Sequence, residues 1–298
     1  MKSVVYYDRK RPEYPEKLRC QERMPEGLYV LGDLPDEGRK SVAIVGARSC
    51  SSYGRGEALR FSKALASRGV QIISGLAYGI DAWAHQGALE CGGRTFAVLG
   101  CGADICYPKA NYPIYRKISS GGGGILSEFE PGTRPKPWHF PIRNRIISGL
   151  ADLVLVVEAR KKSGSLITAD YALEQGKSVY AVPGRTGDEL SAGCNALIAQ
   201  GAGIACEPEA LLEELGLFPE GGRNSEEMTQ EYGQRLQGLT EEMRVIYQQL
   251  RSGEKNLEEL QQCTGLETGI LFNLILDLQL RGYIKQEITG YYCCCENE

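Results

Sequence analysis

The sequence predicts an α/β protein with an extended Rossmann-like, doubly wound and mostly parallel sheet, followed by a small winged-helix-like C-terminal domain. Between residues 41 and 216, short apolar runs alternate with stretches of helical spacing, which is typical of repeated strand–helix–strand units. Each strand candidate from Ser41 to Val182 leads into polar or glycine-rich residues. This pattern is expected at the carboxyl edge of a parallel sheet, where ligands bind near a switch in strand order.

Seven apolar runs are predicted to be strands, and four helical stretches lie between them. The strands are Ser41–Val45, Val70–Ile73, Thr95–Leu99, Gly124–Ser127, Leu153–Val157, Val179–Val182 and Ile204–Cys206. The helices are Gly56–Arg68, Ile80–Cys91, Ile167–Gln175 and Asn195–Gln200.

Around this core the sequence predicts three further segments. Residues 1–40 form an extended lead-in, and residues 217–238, rich in Gly, Glu and Gln, form a linker. Residues 239–298 contain three helical stretches and a hairpin-like end, the order of a winged-helix module. These helices are Thr240–Leu250, Leu257–Cys263 and Thr268–Leu280.

Charge is unevenly distributed along the chain. The 298 residues carry a formal net charge of −4. Residues 41–216 contain 18 basic and 16 acidic side chains, whereas residues 239–298 contain 5 basic and 10 acidic ones. An anion or nucleic-acid site is therefore more plausible in the middle of the chain than at its C-terminal end.

Several functional classes lack their signatures. No run of 18 apolar residues and no apolar signal core occur, so we expect no membrane association. The eleven cysteines show no CxxC pair or metal-ligand spacing, which predicts free thiols in a reducing cytoplasm and no metal. Three of them form a Cys293–Cys295 tail of unassigned role.

Nucleotide-cofactor and hydrolase motifs are also missing. The glycine pair in Gly54-Arg55-Gly56 lacks the third glycine of a dinucleotide fingerprint, and neither a Walker loop nor a GxSxG elbow occurs. We therefore expect no cofactor and no catalytic residues.

One basic window stands out in this acidic protein. Phe140-Pro141-Ile142-Arg143-Asn144-Arg145 places two arginines and an asparagine behind a proline. With Pro141 as the first helical residue, Arg143, Asn144 and Arg145 lie in the first turn, where backbone N–H groups favour anions. A basic turn paired with Glu128, Glu130 or Asp152 explains the window equally well.

Two further segments could bind phosphate at the same edge. Ser163-Gly164-Ser165 opens a helix, so its backbone N–H groups could hold a phosphate, although a simple N-cap is an alternative. Arg48 directly follows the first core strand, where it could instead form a surface ion pair. Trp138 and Phe140 could stack on bases or simply pack against the protein.

The C-terminal unit is poorly suited to reading DNA. Its third helical stretch, within Glu267–Arg281, carries only one basic residue among leucines and isoleucines, whereas groove-reading helices present Arg, Lys, Asn or Gln. We expect this helix to be mostly core and the unit to contact a protein, and we disfavour a winged-helix repressor.

An ordered series of motifs runs along nearly the whole chain. It consists of Val45-Gly46-Ala47-Arg48, Ser74-Gly75-Leu76-Ala77-Tyr78-Gly79-Ile80-Asp81, Leu99-Gly100-Cys101-Gly102 with Tyr107-Pro108, Leu126-Ser127-Glu128-Phe129, Pro131-Gly132-Thr133, Phe140-Pro141 with Arg143-Asn144-Arg145-Ile146-Ile147, Ser163-Gly164-Ser165-Leu166-Ile167-Thr168-Ala169, Val182-Pro183-Gly184 and Gly193-Cys194-Asn195. The series resembles the DNA-processing protein A (DprA/Smf) family of bacteria.

The resemblance implies a homodimeric single-stranded DNA-binding protein without established catalytic activity. Such a protein protects incoming DNA and helps to load the RecA recombinase during natural transformation and recombination. The family's positive pocket carries over to Arg48, Gly75 and Arg143-Asn144-Arg145, with Phe140 preferred to Trp138 as the neighbouring aromatic. Together with Ser163, Gly164 and Ser165, these are the predicted DNA-binding residues.

The alternative is an enzyme, a nucleotide phosphoribohydrolase on a related Rossmann-like fold. Such enzymes carry a PGGxGT-type loop followed by a glutamate. The nearest glycine-rich stretch here, Ser119–Gly124, lacks that pattern.

Overall fold

A computed structural model of the chain describes residues 3–217, 239–251, 255–286 and 290–294. The predicted linker, apart from Leu217, and Cys295 of the cysteine tail lie outside these residues. The chain divides into two units, Met1–Phe218 and Pro219–Glu298.

The first unit is built on a nine-stranded sheet in which most pairs are parallel, which confirms the predicted α/β fold class. The strand order is β1-β2-β6-β5-β4-β3-β7-β8-β9. The strands are β1 (Val5–Asp8), β2 (Gly27–Gly32), β3 (Ser41–Val45), β4 (Gln71–Ser74), β5 (Thr95–Leu99), β6 (Gly123–Ser127), β7 (Leu153–Val156), β8 (Ser178–Ala181) and β9 (Gly203–Ile204).

Two strands from the predicted lead-in form one edge of this sheet. β1 pairs with β2, and β2 pairs with β6, both antiparallel. Leu28 and Val30 of β2 are buried in the core, so the lead-in is packed as part of the first unit.

Eight helices surround the sheet in the described part of the first unit. They are α1 (Glu16–Arg19), α2 (Ser52–Ser67), α3 (Ile80–Glu90), α4 (Tyr112–Lys117), α5 (His139–Leu150), α6 (Gly164–Glu174), α7 (Ala192–Ala199) and α8 (Pro208–Glu214). Helix α5 begins two residues before Pro141, so the expectation that Arg143, Asn144 and Arg145 occupy its first turn is wrong. They lie in its second turn.

Alternating side chains of β3 enter two cores on opposite faces of the sheet. Ile44 packs in one cluster with Phe61 of α2, while Val45 packs in the other with Ile147 of α5 and Ala169 of α6. Successive strand residues point to opposite faces, so a fully apolar strand is covered by helices on both sides. This is the doubly wound arrangement.

In its described residues, the second unit has three helices and one antiparallel strand pair. They are α9 (Glu241–Arg251), α10 (Leu257–Thr264), α11 (Thr268–Leu280), β10 (Ile284–Gln286) and β11 (Tyr292–Cys294). The assignment of this unit as a winged helix stays a prediction.

Helix α11 buries one face only. Leu271, Ile275 and Leu278 are buried, whereas Phe272 and Leu280 are exposed. The expectation that this helix is mostly core is therefore wrong, because its apolar residues surround the helix axis while the small unit covers one side.

An ion pair ties α1 to the core. Lys17 Nζ lies 2.7 Å from Asp152 Oδ2, which also accepts the backbone N–H of Ser41 at 2.7 Å. Burial alone would raise the pKa of Asp152, but the hydrogen bonds from Lys17 and Ser41 outweigh it and lower the pKa below its usual value.

Asp152→Asn should lower the free energy of unfolding at neutral pH by about 1–3 kcal/mol, the contribution of hydrogen bonds to a charged group. The pKa of Asp152 is lower in the folded protein than in the unfolded chain, where it is near 3.9. The stabilising contribution of Asp152 is therefore present above about pH 3.9 and is lost as the pH falls below the folded-state pKa. In urea unfolding experiments, the free energy of unfolding should fall less between about pH 7 and pH 3 for the variant than for wild type. The matched control is Glu174→Gln, at an exposed position. Parallel pH profiles for wild type and Asp152→Asn would contradict this account.

Candidate nucleic-acid interface

A cavity of about 660 Å³ opens at the carboxyl edge of the sheet. It is lined by residues 45–49 at the end of β3, by Arg160 and residues 162–165 after β7, and by α5. Strands β3 and β7 are neighbours in the sheet, although three strands separate them in the chain. The cavity therefore lies at the switch in strand order, where open α/β sheets bind ligands.

Gly79 lets the loops after β3 and β4 pack against each other. A Cβ atom at this position would lie 2.2 Å from the Ala47 carbonyl oxygen and 2.6 Å from that of Arg48, and its φ is +71°. The backbone N–H of Ile80 donates to the Ala47 carbonyl at 3.1 Å. Only glycine fits here without strain, and the contact fixes the backbone that carries Arg48.

Arg48 and Phe140 lie together at the rim of the cavity. The Arg48 side chain is exposed, and its Cζ lies 5.5 Å from the centre of the Phe140 ring. The Tyr107 ring lies 5.6 Å from that of Phe140. Trp138 is 60% exposed and lies outside the cavity lining, so Phe140 is the predicted aromatic that the structure places here.

Arg143 lies beneath this rim and is almost completely buried. One guanidinium nitrogen donates to the carbonyl oxygens of Gly75, at 2.8 Å, and Val98. Its Nε has no hydrogen-bond partner in the described part of the chain. Burial lowers the pKa of Arg143 to about 10, so the side chain remains charged at neutral pH. Because α5 begins early, Arg143 points toward the strand ends instead of toward solvent.

Asp81 supplies the opposing charge. Its carboxylate accepts the backbone N–H groups of Gly75 at 3.1 Å and Ala77 at 3.4 Å. Burial raises the pKa of Asp81, while nearby Arg143 acts in the opposite direction. A Cβ atom on Gly75 would lie 2.6 Å from an Arg143 nitrogen and 2.7 Å from Asp81 Oδ2, which explains why glycine stands there.

Two predicted binding residues, Arg145 and Gly75, are not brought to the cavity lining. Arg145 forms a bidentate ion pair with Glu128, with N···O distances of 2.8 and 2.7 Å, and also donates to the backbone carbonyl of Arg23. This is the ion-paired alternative that the sequence left open. Gly75 lies beneath the site and acts through the space it leaves for Arg143.

The start of α6 forms the opposite wall. The Ser163 hydroxyl accepts the backbone N–H of Ser165 at 3.4 Å and contacts its hydroxyl at 2.8 Å. Asn144 Nδ2 donates to the Gly164 carbonyl at 3.2 Å, which holds α5 against α6. Ser163 is thus an N-cap, and it also lines the cavity with Gly164 and Ser165.

Carboxylates occupy the starts of two other helices at this edge, α2 and α3. Glu158 accepts the backbone N–H and hydroxyl of Ser51, the N-cap residue of α2, and Asp81 lies in the first turn of α3. The first turn of α6 contains no acidic residue. Its free N–H groups and helix dipole are therefore available to an external anion.

Sequence reasoning missed Arg160, Lys162 and Tyr107 as lining residues. The basic run Arg160-Lys161-Lys162, directly before Ser163, was the available signal. With these residues, four cationic side chains and one carboxylate line the cavity; they are Arg48, Arg143, Arg160, Lys162 and Asp81. Such a surface is suited to a polyanion.

Known proteins match the first unit of the chain. The family model described as DNA recombination-mediator protein A matches residues 5–216. The chain belongs to this family. It is 45% identical over 202 residues to Protein Smf of Escherichia coli (strain K12), covering 68% of this chain and 54% of that protein. It is 43% identical over 201 residues to DNA processing protein DprA of Streptococcus pneumoniae, covering 67% and 71%.

Solved structures of the same family have the same fold. DNA processing protein A from Streptococcus pneumoniae superposes with a TM-score of 0.66 at 39% identity, covering 71% of this chain and 74% of that one. DNA processing protein A from Helicobacter pylori, described for its single-stranded DNA binding mode, gives a TM-score of 0.64 at 28% identity, covering 72% and 96%. The chain thus matches about half of the Escherichia coli protein and most of these two structures.

Two other classes of site are absent from the described residues. No helix there is both long and apolar enough to cross a membrane. No group of three or more His, Cys, Asp or Glu side chains there is arranged to hold a metal ion.

Gly75→Ala should lower the free energy of unfolding by about 1–3 kcal/mol, because the added methyl group displaces Arg143 and Asp81 from their hydrogen bonds. Gly56→Ala is the matched control, since a Cβ atom at this helical position meets nothing within 4 Å, and it should stabilise by about 0.5–1 kcal/mol. Chemical denaturation measures both. Equal effects of the two substitutions would contradict the role assigned to Gly75.

Proposed function

We propose that this protein binds single-stranded DNA in the cavity at the carboxyl edge of the sheet. The observation that carries the proposal is the composition of this one cavity. Four cationic side chains against one carboxylate, an aromatic ring and an unoccupied helix start all face it. Phosphates, bases and backbone N–H groups are the partners that this combination suits.

The exposed cationic side chains and the start of α6 bind the phosphates. Arg48 and Lys162 are exposed and can reach the sugar–phosphate backbone. The backbone at Gly164 is open, because a Cβ atom there would meet nothing within 4 Å, so a phosphate can approach it closely. Arg143 contributes its charge from beneath the cavity floor, while Asn144 positions Gly164.

A base can stack on Phe140 at the rim. The centre of the ring lies 5.5 and 5.9 Å from the Cζ atoms of Arg48 and Arg143, and Tyr107 is its aromatic neighbour. Stacking requires an unpaired base, so this feature favours a single strand over a duplex. The Helicobacter pylori relative, described for single-stranded DNA binding, supports the same choice.

We infer the cellular role from the family. The description as a recombination mediator supports a protein that protects incoming single-stranded DNA and helps RecA to assemble on it during natural transformation or recombination. The protein would work as a homodimer in the cytoplasm and by binding, without a catalytic step.

Arg48→Ala should weaken binding of a dT oligomer and reduce its salt dependence. Each phosphate contact on single strands contributes about −0.7 to the slope of log K against log salt, so the slope should become shallower by about that amount. Fluorescence anisotropy at several salt concentrations measures both quantities.

The matched control for that experiment is Arg68→Ala. Arg68 is exposed at the C-terminal end of α2 and does not line the cavity, so its removal should leave the slope unchanged. An unaltered affinity and slope for Arg48→Ala would overturn the site assignment.

Phe140→Leu should weaken single-strand binding by about 1–3 kcal/mol, the contribution of one base stacked on an aromatic side chain. A 2-aminopurine base in the oligomer should also lose part of its quenching on binding. Trp138→Leu is the control and should behave as wild type, because Trp138 does not line the cavity. A greater loss of affinity for Trp138→Leu than for Phe140→Leu would assign the stacking role to Trp138 instead.

A further inference from the structure

A second cavity lies beside the first one, on the other side of the start of α6. Its volume is about 650 Å³, close to that of the first. Both volumes are within the range of about 300–1,000 Å³ that is usual for ligand pockets. The two cavities share Lys162, Ser163, Gly164 and Ile167 in their linings. The segment at residues 162–164 is therefore a narrow divide between two adjoining cavities.

The divide and Lys161 next to it carry two positive charges that no described carboxylate pairs with. Lys161 and Lys162 are exposed, and neither forms an ion pair with a described carboxylate. Arg160 beside them has only a loose pair with Glu189, at 3.6 Å, with both side chains mostly exposed. A chain of phosphates crossing this segment would meet two unpaired ammonium groups.

The second cavity has both apolar and polar side chains in its lining. Leu166, Ile167 and Leu197 line it together with Gln200, which directly follows α7. A flat base or a sugar can lie against the apolar side chains while a phosphate contacts Lys161 or Lys162. Asp170 also lines the cavity, so a phosphate is disfavoured beside that carboxylate.

We propose that the DNA strand does not end in the first cavity but crosses residues 161–164 and places at least one further nucleotide in the second cavity. This inference rests on the proposed function, since it extends the path of the same strand. It assigns Lys161, which lines only the second cavity, to a phosphate contact that short oligomers do not reach. It also assigns a repulsive role to Asp170.

The test is a length series of dT oligomers from about 4 to about 16 nucleotides, the range of single-strand site sizes. Wild type and Lys161→Glu should bind the shortest oligomers equally. With longer oligomers, the affinity of wild type should continue to rise after that of the variant has levelled off. The salt slope for long oligomers should be shallower by about 0.7 in the variant.

Two further variants distinguish a contact in the second cavity from a general effect of net charge on DNA binding. Lys117→Glu makes the same charge change at an exposed position on α4, outside both cavities, and should leave the length dependence unchanged. Asp170→Asn should strengthen binding of long oligomers only. Equal effects of Lys161→Glu and Lys117→Glu at every length would overturn the second subsite.

Failure of the subsite and failure of the proposed function give different results. If only the subsite is wrong, wild type still binds every oligomer, Arg48→Ala still weakens that binding, and Lys161→Glu behaves as Lys117→Glu does. If wild type binds no oligomer at all, the proposed function itself fails and the inference fails with it.

Discussion

The buried guanidinium of Arg143 organises the carboxyl edge of the sheet. It joins the ends of β4 and β5 through the carbonyls of Gly75 and Val98, and it belongs to α5. Burying a charge is costly unless it is paired and hydrogen-bonded. The two carbonyl hydrogen bonds and the nearby charge of Asp81, which opposes the effect of burial on the pKa of Arg143, meet this requirement. Phe140 and Asn144 are carried by the same helix, so the position of this one cation fixes both the aromatic rim and the contact with α6.

The distribution of carboxylates determines where an anion can bind. Among the helices that begin at this edge, α2 and α3 have their starts occupied by Glu158 and Asp81 from within the protein. The start of α6 has only the Ser163 cap. An external phosphate is therefore directed to α6, which is also where the exposed lysines stand. The net charge of the whole chain, −4, conceals this local excess of positive charge.

The second unit has the opposite character. Residues 239–298 contain twice as many acidic as basic side chains, and α11 exposes Phe272 and Leu280. A negative charge with exposed apolar side chains is unsuited to a phosphate backbone and suited to a protein partner. The interpretation of this unit as a protein-contact module stays a prediction.

The sequence by itself determined the seven strands of the core, the doubly wound class and the edge that carries the candidate site, because apolar runs and helical spacing are local patterns that burial imposes directly. Motif resemblance also identified the family. Only the tertiary structure decided the roles of individual arginines. Arg143 and Arg145 are two positions apart on one helix, and so they point about 200° apart. Arg143 is buried against the strand ends, and Arg145 is paired with Glu128. Both sets of partners are distant from the arginines in sequence. The second cavity is likewise lined by residues from both α6 and α7, and the proximity of these two helices is a long-range feature that no local pattern encodes.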